Sequence, residues 1–352
     1  MRVKEHQRGT LTADFRLGGI LFILLAFAWA FYLIHVPGGA AQTLTAFFVF
    51  LVLMAPVILL GNPTLVKVLT TDYATHPRRL WLVPLVLWCV ASLYILAAAP
   101  ANLLIIPAGA LYCFLPLIAT ILLNKKQHPV GGTDALVILL VLLPMQFPFL
   151  TRYGAPPAQP VFFIYPMIGI IHLLVIYLTL RPLPNFSYTL RLKDNDWRSA
   201  IMNFLFLFIL VFIPGIALRF FTLSHNMMPF GEMVQQFLFI GFFIALPEEL
   251  LFRGIIQNFI AGQITTKKNT ALLTLAPASL ISGLAHYHNA FVLDFGGNSV
   301  YPGGGKPVWV NILIAFAASW LFGWTLLKTR KVTAATFVHT LFIWVWLVIL
   351  NS

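Results

Sequence analysis

Apolar stretches long enough to cross the hydrocarbon core of a bilayer recur from one end of this 352-residue chain to the other. A helix of about 20 apolar residues spans that core. The composition agrees, because 60% of the residues are hydrophobic and only 9% are charged, with a mean hydropathy of +0.91. The sequence therefore predicts an all-α fold, a polytopic transmembrane helical bundle.

The apolar pattern predicts about eleven spans, and the basic residues between them predict their orientation. The expected spans lie near residues 20–36, 43–60, 81–98, 102–123, 134–150, 161–180, 201–221, 233–257, 271–292, 309–327 and 333–350. The connecting segments on one side hold eighteen Lys or Arg residues, whereas those on the other side hold only Arg152 and Lys306. Because basic residues concentrate in cytoplasmic loops, we expect a multi-pass protein of the cell membrane with a cytoplasmic N-terminus.

The formal net charge of +12 does not indicate a nucleic-acid partner. The basic residues lie in short patches between apolar runs, where they report membrane orientation. Cys89 and Cys113 lie inside apolar runs without metal-ligand spacing, so we interpret them as packing residues. The lipid bilayer is the partner that the composition predicts.

One polar segment divides the chain. Residues 181–200 contain two prolines, four basic residues and two aspartates, and form the longest polar interruption of the apolar pattern. We interpret this segment as a cytoplasmic linker between a six-span region, residues 1–180, and a five-span region, residues 201–352. The ionisable groups gather in the second region, and we expect the chemistry there.

The most constrained motif of the second region is Pro-Glu-Glu-Leu-Leu-Phe-Arg-Gly at residues 247–254, which follows an apolar run. A charge within a membrane helix is costly, so a functional role is the default hypothesis. At about 100° per residue, Glu248 and Glu249 point to different sides, whereas Glu249 and Arg253 are four residues apart and share one side. We therefore expect Arg253 to neutralise Glu249 and leave Glu248 free.

Two histidines on later spans complete the candidate set. His286 shares one helical face with Ser279, Ser282 and Gly283, a stripe of small residues that lets another helix approach closely. His339 lies within the last span. A buried Glu can deprotonate a water, one His can return the proton to a leaving amine, and a second can donate to a developing oxyanion.

The spacing leaves two other interpretations open. Glu248, His286 and His339 could instead hold a divalent metal such as zinc, since one Glu and two His with an open position form a known catalytic ligand set. The same polar cluster could also only hold helices together. We favour a site without a cofactor, in which Glu248 activates the water.

In this order the motifs resemble those of the CAAX-protease and bacteriocin-processing (CPBP) family of intramembrane proteases. The family pattern is Glu-Glu-x-x-x-Arg, then Phe-x-x-x-His, then His-x-x-x-Asn or Asp. The resemblance implies that Glu248 activates the water, that Glu249 and Arg253 are the supporting pair, and that His286 and His339 are the active-site histidines. It extends over roughly residues 200–350.

The chain departs from the family pattern at two positions. Ser282 replaces the Phe of the second motif, and Ile343 replaces the Asn or Asp of the third. The missing amide could be replaced by Asn289 or another polar group, the chemistry could run without it, or the protein could be a degenerate relative. The glycine-rich loop 294–307 is either a lid over the site or a solvated connector.

Together these features predict an intramembrane endopeptidase of the glutamic rather than the metallo type. Its substrate would be a membrane-associated protein or peptide. Two alternatives remain: a catalytically inactive immunity or scaffold relative, and a transporter that uses the same groups as a proton relay. The absence of a half-to-half repeat in the sequence counts against transport.

Overall fold

The architecture is almost entirely helical in the described part of the chain. The structure, a computed structural model, describes residues 16–30, 33, 40–98, 105–123, 130–146, 164–186, 188–217, 221–223, 229–264, 270–286 and 308–351. Asn289 and the loop 294–307 lie outside these residues. The chain divides into two compact units, residues 1–183 with 188–191, and residues 184–187 with 192–352.

The first unit consists of helices, most of them apolar. They are α1 (Arg16–Ala30), α2 (Ala40–Leu60), α3 (Pro63–Thr75), α4 (Leu82–Ala98), α5 (Ile105–Leu123), α6 (Gly132–Gln146) and α7 (Ile164–Val175), which continues as a π-helix over Ile176–Leu180. Arg181 binds both carboxylate oxygens of Asp134, with nitrogen–oxygen distances of 2.6 and 2.8 Å. This pair joins the start of α6 to the end of α7.

Helix α3 lies in a segment that the sequence analysis assigned to a connection between spans. The sequence does mark the start of this helix. The side chain of Asn62 accepts hydrogen bonds from the backbone N–H groups of Thr64 and Leu65, and Pro63 occupies the first helical position. Both features are typical of helix N-termini. The high polarity of the segment concealed this short helix.

The second unit contains the candidate site. Its elements are α8 (Asp194–Ala217), β1 (Thr222–Leu223), α9 (residues 230–263), α10 (Thr270–Ala285), α11 (Val308–Thr329), α12 (Val332–Ile349) and β2 (Leu350–Asn351). The two short strands pair antiparallel, with Thr222 opposite Asn351. Helix α8 begins seven residues before the predicted span at 201, so the end of the predicted linker is helical.

The core of this unit packs α8, α11 and α12 together. Phe342 of α12 contacts Phe212 of α8 and Phe322 of α11, with ring centroids 5.2 and 6.0 Å apart. Helices α11 and α12 form a hairpin whose turn contains Arg330 with a φ of 58°. Lys331 in this turn forms an ion pair of 2.6 Å with Asp196 of α8. These contacts fix α12, and with it His339, against the rest of the unit.

Six of these helices are long and apolar enough to cross a membrane, by length and composition, within the described residues. Shorter apolar helices occupy Arg16–Ala30, Gly132–Pro144, Ile164–Leu180 and Thr270–Ala285. The helical fold with several membrane-spanning candidates is thus confirmed, whereas the count of eleven spans and the cytoplasmic N-terminus stay predictions.

Candidate active site

The two adjacent glutamates lie in the middle of α9, between two π-helical segments. These segments are Ile240–Ala245 and Leu250–Gln257. Pro247 has no N–H and its ring crowds the preceding turn, so a widened turn before it relieves the clash. In the second segment, the side-chain amide of Asn258 donates to the carbonyl oxygens of Arg253 and Gly254, at 3.1 and 2.9 Å. Widened turns of this kind frequently occur at functional sites.

Glu249 and Arg253 form the ion pair that their spacing predicts. Arg253 Nε lies 3.3 Å from Glu249 Oε2, and both side chains are buried, with 0% and 1% exposure respectively. The guanidinium also donates from Nη2 to Ser319 Oγ of α11. The charge of Glu249 is therefore balanced inside the bundle, where an unpaired charge would cost several kcal/mol.

Glu248 is also buried, yet neither of its carboxylate oxygens has a hydrogen-bond partner among the described residues. Its Oε2 atom lies 3.6 Å from His286 Nε2 and 3.8 Å from His339 Nε2. A buried carboxylate with spare hydrogen-bonding capacity is uncommon and is typical of reactive sites. The structure thus brings together the free carboxylate and both predicted histidines.

Each histidine is oriented through its other ring nitrogen. His286 Nδ1 lies 2.7 Å from the carbonyl oxygen of Ser282, and His339 Nδ1 lies 2.9 Å from Glu249 Oε1. A carbonyl only accepts hydrogen bonds, and so does a carboxylate that is paired with arginine. Both Nδ1 atoms therefore carry a proton, and in the neutral rings both Nε2 atoms present a lone pair toward Glu248.

Close helix packing places His286 at this position. A Cβ atom at Gly283 would lie 3.0 Å from the carbonyl oxygen of Ile312 and 3.1 Å from Cβ of Phe316, so a side chain here would require α11 to move away from α10 by a few tenths of an ångström. Ser279 and Ser282 are buried on the same helix. The predicted stripe of small residues is confirmed as a contact surface between helices.

Sequence reasoning missed two residues of α11 that contact the site. Ser319 accepts the hydrogen bond from Arg253, and the ring of Phe322 stacks on His339 with centroids 4.4 Å apart. Neither residue lies in the motifs that contain the predicted site residues. The four-residue spacing of Ser319 and Gly323 is a small-residue signal for helix packing, but it does not identify the partner.

In the alternative interpretation, Glu248, His286 and His339 would hold a divalent metal. Within the described part of the chain, no three His, Cys, Asp or Glu side chains are arranged as a group that could hold a metal ion. With both rings neutral, Glu248 Oε2 and the two Nε2 atoms are three hydrogen-bond acceptors, and one water molecule can donate to two of them.

Comparison with known proteins identifies one family. Residues 230–345 match the family model described as Rce1-like, type II CAAX prenyl endopeptidase Rce1-like. Nothing matches at a significant level among the curated proteins or among the solved structures. The match confirms the resemblance to the CPBP family over these residues and includes all five candidate site residues. With its apolar helices, the chain is an integral multi-pass membrane protein.

Proposed function

We propose that this chain, whose residues 230–345 match the Rce1-like family, is an intramembrane endopeptidase that cleaves a membrane-associated protein or peptide. The observation that carries the proposal is the convergence of Glu248 Oε2 with the Nε2 atoms of His286 and His339, at 3.6 and 3.8 Å. A hydrolytic site needs a base that takes a proton from water and a second group that carries this proton to the leaving nitrogen, and a carboxylate beside imidazole lone pairs supplies both.

In the proposed reaction, Glu248 is the general base. It takes a proton from a water molecule held beside it, and the water oxygen bonds to the carbonyl carbon of the substrate. Collapse of the tetrahedral intermediate breaks the C–N bond, and the amide nitrogen leaves with a proton. The products are a carboxylic acid and an amine. The proton that Glu248 removed is returned to the leaving nitrogen, and the second hydrogen of the water stays on the new carboxyl group.

His339 is the proposed carrier of that proton. Its Nδ1–H donates to Glu249, and a carboxylate in this position stabilises the imidazolium that forms when Nε2 accepts a proton. His286 donates its Nδ1–H to a neutral backbone carbonyl instead, which stabilises an imidazolium less than a carboxylate does. We assign to His286 the orientation of the attacking water.

We infer that water and substrate reach the site from the side of His286, the most exposed of the three side chains. The side chain of His286 is 20% exposed, whereas that of Glu248 is 2% exposed and that of His339 is 6% exposed. The base is therefore shielded from bulk solvent behind His286. Exclusion of bulk water strengthens the electrostatic interactions that act on the reaction.

The test compares the newly formed protein termini of membrane and secreted fractions from cells that carry the wild type or Glu248→Gln. Glu232→Gln is the matched control, because Glu232 lies on the same helix and is exposed. We expect a set of termini that depends on Glu248 and not on Glu232. Equal termini in all three strains, with normal levels of the Glu248→Gln protein, would overturn the proposal.

Reconstitution then separates direct cleavage from that of a downstream protease. The purified chain in lipid nanodiscs is incubated with peptides that span the Glu248-dependent termini. By the name of the matched family, a prenylated CAAX peptide is a further probe, with the unprenylated peptide as its control. Cleavage of the prenylated form alone would assign the substrate to the CAAX class.

The glutamic mechanism is distinguished from a metal-dependent one in the same assay. We expect turnover to be unchanged after dialysis against a chelator such as EDTA or 1,10-phenanthroline. Loss of turnover that is restored by Zn²⁺ would instead favour Glu248, His286 and His339 as metal ligands. Metal analysis of the purified protein provides an independent measurement.

Ile343 supports a second candidate function, that of an inactive relative with a scaffold or immunity role. Its side chain packs against the hydrophobic core of α8, α11 and α12, in the position where the family pattern has an amide or acid. A normal cellular phenotype in the double variant Glu248→Gln, His286→Ala would favour this candidate over the protease.

A further inference from the structure

We propose that Ser319 is a positioning residue, which acts through Arg253 and Glu249 to hold His339 in the tautomer that the reaction needs. This inference rests on the proposed function. It concerns a residue outside all three motifs of the sequence pattern, on a helix to which no chemical role was assigned.

Ser319 fixes the orientation of the Arg253 guanidinium. Its Oγ accepts a hydrogen bond from Nη2, and both residues are buried, with 1% and 0% exposure. On another edge of the guanidinium, Nε lies 3.3 Å from Glu249 Oε2. Because the guanidinium is planar and rigid, contacts at these two nitrogens define its plane. Among the described residues, loss of the serine hydroxyl would leave the ion pair with Glu249 as the remaining polar contact of the guanidinium.

Glu249 transmits this orientation to His339. Its Oε2 forms the ion pair with Arg253 at 3.3 Å and its Oε1 the hydrogen bond with His339 Nδ1 at 2.9 Å, so both carboxylate oxygens have a contact. A rotated guanidinium would turn the carboxylate and weaken the bond to Nδ1. The imidazole could then carry its proton on Nε2 instead of Nδ1. In that tautomer Nε2 has no free lone pair and cannot accept the proton that the reaction passes to the leaving nitrogen.

Some residues do not contact the substrate but hold a functional histidine in place through hydrogen bonds. In metal sites, removal of such a residue typically lowers metal affinity or activity by about 10- to 100-fold. We expect Ser319→Ala to lower kcat within that range and to change KM by less than about twofold, since Ser319 does not contact the substrate in this scheme. Ser319→Cys keeps the volume of the side chain and replaces the hydroxyl with a weak acceptor. It is expected to lose activity in the same way.

The matched control is Ser279→Ala. Ser279 is also fully buried in this unit, but its Oγ has no hydrogen-bond partner among the described residues. We expect kcat of this variant to be unchanged. If Ser319→Ala behaves like Ser279→Ala, or if Ser319→Cys keeps wild-type kcat, the positioning role is overturned.

A double-mutant cycle tests whether Ser319 acts through Glu249. On a Glu249→Gln background, we expect Ser319→Ala to lower kcat by no more than about twofold further, because the acceptor that it orients is already changed. A second loss as large as that seen in the wild-type background would mean that Ser319 acts by another route, and would overturn the inference.

The decisive measurement does not depend on turnover. Nitrogen NMR of the chain labelled with ¹⁵N-histidine reports which ring nitrogen of His339 carries the proton, and His339→Gln assigns the signal. We expect a protonated Nδ1 in the wild type and in Ser279→Ala, and a mixture of tautomers in Ser319→Ala. An unchanged Nδ1–H in Ser319→Ala overturns the inference even if the protease activity is real. The expected shift in a chain that cleaves nothing would leave the inference standing and overturn only the proposed function.

Discussion

His339 donates its Nδ1–H to Glu249 Oε1 across 2.9 Å, so the second glutamate of the motif, and not the first, orients this histidine. The first glutamate, Glu248, faces the opposite ring nitrogen of His339 at 3.8 Å. The adjacent acids thus have separate tasks, because their side chains leave α9 in different directions. One holds the imidazole, and the other has no hydrogen-bond partner among the described residues.

Glu249→Gln is expected to lower kcat strongly while Glu248 remains in place. The amide can turn its NH₂ toward His339 and favour the opposite tautomer, and it cannot stabilise an imidazolium as a carboxylate does. Loss of the corresponding acid in a serine-protease triad costs about 10⁴-fold in kcat, and we expect a loss of about 10²- to 10⁴-fold here. Steady-state kinetics on the reconstituted chain measure it. Activity within about threefold of wild type would contradict the orienting role.

Arg253→Met is expected to destabilise the fold, because it leaves the buried Glu249 charge without its ion-pair partner. Removing one member of a buried pair typically costs about 3–5 kcal/mol, whereas replacing both members costs much less. The double variant Glu249→Gln, Arg253→Met should therefore be more stable than Arg253→Met and remain as inactive as Glu249→Gln. Thermal unfolding in detergent, measured beside activity, separates the two effects. A double variant less stable than the single one would exclude this account.

Gly283→Ala should separate α10 from α11 and displace His286 from Glu248. The added Cβ would lie 3.0 Å from the carbonyl oxygen of Ile312 and 3.2 Å from the backbone nitrogen of Phe316, and backbone atoms cannot move aside cheaply. Such overpacking typically costs about 1–3 kcal/mol. We expect a lower melting temperature together with reduced kcat.

Gly262→Ala is the control for the loss of a helical glycine. No atom lies within 4 Å of the Cβ that it would add, and alanine favours the helix over glycine by about 1 kcal/mol. Its melting temperature and activity should match or exceed those of the wild type. If both alanine variants behave alike, the close approach at Gly283 does not position the site.

Local spacing accounts for the parts of the site that the sequence predicted. Glu249 and Arg253 pair because residues four apart share a helix face, and Gly283 allows close packing because it has no side chain. The choice of Glu249 as the partner of His339 was not predictable. The two residues are 90 positions apart, and the rotation of α12 against α9 decides which carboxylate the ring meets.

The π-helical segments around the motif were also missed, for a related reason. A prediction from hydrophobic periodicity uses the 3.6 residues per turn of a regular α-helix. A π-helical turn is wider, so it rotates every later residue around the helix axis relative to that prediction. Arg253 and Gln257 of α9 both contact α11, at Ser319 and at the carbonyl oxygen of Gly323. Contacts of this kind depend on the partner helix, about which the sequence of α9 carries no information.

Ile343→Asn is expected to raise activity. Residue 343 lies one helical turn after His339 on the same side of α12, where the resembling family has an amide or acid, and an amide there would add a donor for the developing oxyanion. Loss of one such donor costs about 10²- to 10³-fold in other enzymes, so its introduction into a site that works without it should increase kcat by about tenfold or more. Ile343→Leu, which preserves the packing of this partly buried side chain, is the control and should leave kcat unchanged. Equal rates for the two variants would mean that another group already fills this role, and the search for it would then turn to the polar residues around His286.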